Sequence, residues 1–142
     1  MGTLEHPNPP DPRSPIHHRA PILCVDRIVE ASDDHALCEY DVREGPHLQG
    51  GRMWEPGLLE GLAQTAALLQ AGAAGATLQG VGMLVGVKRL RIERRPRAGE
   101  LVRWRVDLIK RLGPFLLAEG RATAGEELLA SGELKFYWEA RA

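Results

Sequence analysis

His47, Glu60 and Gln64 are the residues of this chain whose types and placement could carry chemistry. Glu60 is the single charged side chain between Pro56 and Val87, so a segment this apolar takes one carboxylate with it when it buries itself. A carboxyl group in apolar surroundings has its charged form disfavoured and can stay protonated near neutral pH. Gln64 follows one helical turn later and shares a face with Glu60. His47 stands in a glycine-rich loop, Arg43 to Trp54, that runs directly into the apolar segment. Imidazole titrates near neutrality, so it can take up a proton where the carboxyl can give one.

The elements that must hold these side chains are legible from periodicity. A helix is expected from about Glu55 to Ala73, with Pro56 in the first turn, where its missing N–H costs nothing, and Gly72 or Gly75 as the stop. Leu58, Leu59, Leu62, Ala63, Ala66 and Leu69 recur at helical spacing, while Ala67, Leu68 and Ala71 spread the apolar surface round most of the rod. Something must therefore enclose it. Ahead of the helix, Ile22 to Val29 reads as a strand and His35 to Val42 as a second, with Ala36, Cys38, Tyr40 and Val42 on one face. Behind it, Gly80 to Arg95 reads as one long strand with Val85, Val87 and, after the pattern shifts, Leu90 and Ile92 inward. Leu101 to Leu112, Phe115 to Ala124 and Leu128 to Trp138 complete a meander, with turns at Gly113-Pro114 and Gly125-Glu126. The fold class is α+β, a curved antiparallel sheet around one central helix.

Composition sets limits on function. At 142 residues the chain makes one domain, and 18 Lys and Arg against 19 Asp and Glu leave no global field for nucleic acid or an anionic membrane. The glycines and Gln64, Gln70 and Gln79 argue against a membrane span. Residues 1–15 hold five of the ten prolines and read as a disordered tail ahead of a domain from 16 to 142. That proline-rich, polar N-terminus offers no signal peptide. Cys24 and Cys38 fall out of register with each other and read as buried thiols in a reducing, cytoplasmic setting. No His or Cys pair has metal-ligand spacing, so neither a metal nor another cofactor is expected. Asp26 and Arg27 read as hydrogen-bonding residues that fix the first strand, and His17, His18 and Arg19 as structural.

Three motifs in order carry a resemblance that spans roughly Ile16 to the C-terminus. HRAPILCVDRIVE, from His18 to Glu30, resembles the HRxPFLxVDRVxE signature of the 3-hydroxyacyl-acyl-carrier-protein dehydratases. LLEGLAQTAALL, from Leu58 to Leu69, is similar to their LxEAMAQxxGxL, and GVKRLRIERRPRAGE to their GxxxxRFxxPVxPGD. The resemblance implies a hotdog fold, a homodimer (extending to a trimer of dimers) whose sheets join, and active sites built from both chains. It makes His47 the base, Glu60 of the partner subunit the acid and Gln64 its orienter. It also makes Gly57 the backbone N–H that polarises the thioester carbonyl. The implied substrate is a 3-hydroxyacyl thioester of acyl carrier protein or coenzyme A.

The active-site loop departs from that pattern. From His47 to Pro56 it is one residue longer, and from Pro56 to Glu60 the helix is two residues shorter. Two helical residues turn a side chain by about 200°. Either Pro56-Gly57 is not the family's pair or Glu60 does not occupy the acid's place. Arg94, Arg95 and Arg97, with Lys88, Arg89 and Arg91, form a basic set whose alternatives are a solvated face and a dock for an acidic carrier protein or for phosphates. A hotdog thioesterase and a non-catalytic acyl-binding protein are the competing functions.

Overall fold

A computed structural model describes residues 23–74 and 80–140. The expected tail, His17, His18, Arg19 and the possible stop at Gly75 lie outside the described residues. In chain order the elements are β1 (Arg27–Ala31), β2 (His35–Asp41), β3 (Leu48–Gln49), β4 (Arg52–Met53), α1 (Glu55–Ala74), β5 (Gly80–Ile92), β6 (Leu101–Leu112), β7 (Phe115–Ala124) and β8 (Glu127–Ala140). Six strands make one antiparallel sheet in the order β1-β2-β6-β7-β8-β5, and β3 pairs only with β4. The sheet carries α1 on one face, mainly over β2, β6 and β7. This is the hotdog arrangement the motifs imply.

Period-two alternation explains how the sheet receives the helix. Ala36, Cys38 and Tyr40 of β2, Val102, Trp104 and Val106 of β6, and Leu116, Ala118 and Ala122 of β7 all point inward and are buried. Several of these are small, which lets the helix come close. At Gly120 an added Cβ would meet Leu62 of the helix at 3.2 Å. Leu58, Leu62, Ala66, Leu68 and Leu69 bury fully, whereas Leu59, Glu60, Ala63 and Ala67 stay half-buried along the opposite side. The sheet thus encloses most of the rod but not all of it.

Three expectations need correction. The first strand begins at Arg27, not Ile22, because the backbone of Cys24 turns inward to bond a helix side chain instead of joining a ladder. The helix runs through Gly72, which therefore does not stop it. On β5, Val85 and Leu90 face outward, at 49% and 41% exposure. Bulges between Leu84 and Gly86 and between Lys88 and Arg91 shift the register, the second marked by Arg89 at φ 54°. A one-residue slip sends each following side chain to the other face.

Candidate active site

The loop that carries His47 folds into a tight hairpin. Leu48 and Gln49 pair with Met53 and Arg52 across Gly50 and Gly51, both at positive φ (63° and 75°). Consecutive left-handed residues suit a two-residue hairpin, and glycine adopts them without strain. The Trp54 N–H then donates to the His47 carbonyl at 2.8 Å, and Met53 N–H to Pro96 at 2.8 Å. His47 is thereby tied to the residue just before α1, whatever the length of chain between them. Its imidazole is buried, with 7% exposure. On the other side, Asp26 anchors the loop by gripping Arg43 with both oxygens (2.7 and 2.8 Å) while accepting the Asp41 N–H at 2.8 Å. Arg27 reaches Glu39 and Asp41. These are the strand-fixing bonds expected of the VDR sequence.

The helix contributes Glu60 and Gln64 as one hydrogen-bonded unit. Gln64 is fully buried, and its Nε2 donates to Glu60 Oε2 at 3.2 Å. Its Oε1 accepts the backbone N–H of Cys24 at 2.7 Å. Cys24 lies fully buried, its Sγ 3.2 Å from Nε2 of His47, and its carbonyl takes the Trp104 indole N–H at 2.7 Å. A continuous polar path therefore runs Glu60, Gln64, Cys24, His47 within one chain. Burial, reinforced by the Glu60 and Asp26 charges and opposed by Arg43, pushes the Cys24 thiol up to about 12, so it stays protonated at any working pH. Glu60 itself is half-buried in the single chain, less enclosed than its charge-free segment suggests.

The Gly57 N–H, the thioester-polarising donor that the resemblance implies, donates to the Trp54 carbonyl at 3.1 Å within the first helical turn of this chain. A Cβ at Gly57 would press on the side chains of Met53 and Trp54, each at 3.0 Å. Arg94 is likewise engaged, with Glu100 holding its guanidinium at 2.8 and 2.9 Å and Glu127 at 2.8 and 3.0 Å. Arg95 gives its carbonyl to Arg52, and the Arg97 N–H bonds Glu100. The turn that holds the three arginines is folded on itself, and it lies against the site loop through the bridge between Arg52 and Arg97.

Cys24 is the buried thiol the sequence implies, but its place beside His47 is not legible there, because it fills a position the dehydratase signature leaves open. Trp104 is not singled out by the sequence; its signal is Gly61, which stands where the helix signature has alanine and where a Cβ would clash with the Trp104 ring. Among the described residues no cluster of His, Cys, Asp and Glu could hold a metal ion, and no helix is long and apolar enough to cross a membrane.

A family model described as ApeP-like, ApeP dehydratase, matches residues 10–141. The chain belongs to the ApeP-like dehydratase family. It is also 32% identical over 130 residues to the 3-hydroxyacyl-acyl-carrier-protein dehydratase FabZ of Streptococcus pyogenes serotype M5 (strain Manfredo), a match covering 85% of this chain and 91% of the relative. FabZ of Streptococcus mutans serotype c (strain ATCC 700610 / UA159) is 31% identical over 133 residues, covering 87% and 92%. Among solved structures, the dehydratase heterocomplex ApeI:P from Xenorhabdus doucetiae superposes with a TM-score of 0.77 at 22% identity, over 91% of this chain and 90% of the other. A hypothetical thioesterase with coenzyme A from Streptococcus pneumoniae TIGR4 reaches 0.68 at 10% identity, over 81% and 86%. At these identities the structural likenesses speak for the fold. The ApeP-like membership and the FabZ likeness agree with the motif resemblance.

Proposed function

We propose that this ApeP-like chain dehydrates 3-hydroxyacyl thioesters to 2-enoyl thioesters, with His47 as base and Glu60 as acid. The observation that carries the reading is the polar path from Glu60 through Gln64 and Cys24 to His47, set in an otherwise apolar interior. His47 takes the proton from C2, and the electrons of that C–H bond become the C2–C3 double bond. The C3–O bond breaks, and the hydroxyl receives the Glu60 proton and leaves as water. The protein ends with His47 protonated and Glu60 ionised, and proton exchange restores both. Gln64, pinned by its bond to Cys24, fixes the carboxyl it touches.

A second chain is part of this reading. β5 is an edge strand, and Met83 and Val85 stand half-exposed on it at 51% and 49%. An apolar edge strand is a surface that must be covered. A second copy pairing along β5 covers it and brings a second helix near the half-buried Glu60 side of α1. The heterocomplex from Xenorhabdus doucetiae supports a variant in which a different hotdog chain takes that place, and the mass of the purified assembly separates the two. Arg95 and Arg97, close to the site loop, suit the acidic surface of a carrier protein or the phosphates of coenzyme A.

The test is hydration of 2-enoyl thioesters on carrier protein and on coenzyme A, followed by loss of enoyl absorbance. Loss of absorbance with the thioester intact supports the reading. Free thiol would instead indicate a thioesterase, and binding without turnover an acyl-binding protein.

A further inference from the structure

The buried thiol beside His47 has no part in the steps above, yet it touches the nitrogen those steps need. We propose that Cys24 is the positioning residue of the base: its S–H donates to Nε2 of His47 and keeps the lone pair of that nitrogen ready for the substrate proton. The inference rests on the dehydratase reading for its consequence and on geometry for its substance.

The geometry has three parts. First, Sγ and Nε2 are 3.2 Å apart, within reach of a sulfur hydrogen bond, and Cys24 is fully buried. Second, Cys24 cannot drift, because Gln64 holds its N–H at 2.7 Å and Trp104 its carbonyl at 2.7 Å. Third, Nδ1 of His47 is buried, and the ring nitrogen that the thiol contacts is Nε2, the one the proposed mechanism uses. Protonation narrows the choices. Glu60 from α1, Asp26 ahead of β1, Tyr40 on β2 and Arg43 after it are the ionisable groups around the thiol, and with burial they leave it un-ionised. A thiolate-imidazolium pair, which would disable His47 as a base, does not form. Two neutral arrangements remain, S–H donating to Nε2 and Nε2–H donating to sulfur; the first, which is the one proposed, places the ring proton on Nδ1, and the nitrogen signal below distinguishes the two.

The choice of sulfur has a chemical logic. A thiol is a weak donor, so an arriving C2–H group displaces it from Nε2 more easily than it would displace a hydroxyl. Once Nε2 is protonated, the sulfur becomes a weak acceptor and holds the imidazolium only loosely, which favours its return to the neutral form.

The experiment compares the wild type with Cys24→Ala and Cys24→Ser, using nitrogen-resolved NMR of labelled histidine together with the enoyl hydration assay. In the wild type above the His47 pKa, Nε2 is expected to give the signal of an unprotonated ring nitrogen. Cys24→Ala should move that signal toward the protonated form and lower kcat roughly tenfold, with KM changed less than about twofold. Cys24→Ser, which restores a donor, should recover the tautomer but only part of kcat. A protonated Nε2 in the wild type, or an unchanged signal in a folded Cys24→Ala protein, would overturn the proposal. The signal needs no turnover: an inactive wild type with the expected tautomer shift would sink the dehydratase reading and leave the Cys24–His47 bond standing.

Discussion

Two polar clusters flank the active-site loop, and they are built on opposite principles. Next to His47 the links are a thiol, a carboxamide, an indole N–H and backbone. The guanidinium of Arg94 is instead held in ion pairs, shared by Glu100 and Glu127. Neutral partners position a side chain without compensating a charge on it. Ion pairing does the reverse, because it locks each group in its charged form. His47, Cys24 and Gln64 are buried, whereas the second cluster is partly exposed and clasps the end of β5 to the turn before β6 and the start of β8. The proposed function assigns chemistry to the first and stability to the second.

The strongest way to break this contrast is to remove the proton-transfer groups. His47→Ala and Glu60→Gln are each expected to lower enoyl hydration about a thousandfold while leaving the melting temperature within a few degrees. Co-expressing the two variants sharpens the point. If His47 works with Glu60 of the partner subunit, a mixed dimer retains one intact site and recovers up to half of wild-type activity. If the pair works within one chain, along the path the structure shows, every mixed dimer is dead.

How far the site was legible in the sequence divides along the same line. Glu60 announced itself by solitude and Gln64 by helical spacing, and both sit on the face expected of them. The helix start fell where Pro56 put it. The fold was readable because alternation on β2, β6 and β7 matches the buried face residue by residue. The contacts that organise the site were not readable, since each joins residues far apart in sequence: Cys24 with His47, Gln64 and Trp104. On β5 the periodicity shows the shift between Val87 and Leu90, where the Lys88/Arg91 bulge lies, but not the bulge at Leu84/Gly86, and Val85 and Leu90 face outward. The Gly57 N–H bond to Trp54 is of the same kind, a first-turn contact that residue types do not announce.

A smaller but structurally sharper effect is expected at Gly61. Helix propensity alone favours alanine there by about 1 kcal/mol. The structure reverses the sign, because the new Cβ would clash with the Trp104 ring and force the packed indole or the helix to shift. Gly61→Ala should cost roughly 1–3 kcal/mol of stability. It should also depress kcat, since a displaced Trp104 releases the Cys24 carbonyl. Trp104→Phe separates the two effects, because it relieves the crowding but removes the N–H. The double variant should then regain stability over Gly61→Ala, measured by denaturant unfolding, without regaining activity. Full recovery of activity in the double variant would show that the indole bond to Cys24 is dispensable.

The least effect on activity is expected from the charged cluster, and there pH gives the test. Two arms of Arg94 hold Glu100 well below the usual carboxylate range, at about 2. A carboxyl whose folded-state pKa is depressed stabilises the fold fully above its ordinary value near 4.5, and that contribution fades as pH falls from there toward 2. Arg94→Met should cost about 1 kcal/mol at neutral pH, a small figure because the pair is partly exposed and solvent screens it. The melting temperatures of variant and wild type should converge as pH is lowered through that window, and salt should narrow their separation at neutral pH. Throughout, kcat for enoyl hydration should stay within about twofold of wild type, as expected if the guanidinium is committed to Glu100 and Glu127. A large loss of kcat with stability unchanged would place Arg94 in contact with substrate and erase the distinction between the two clusters.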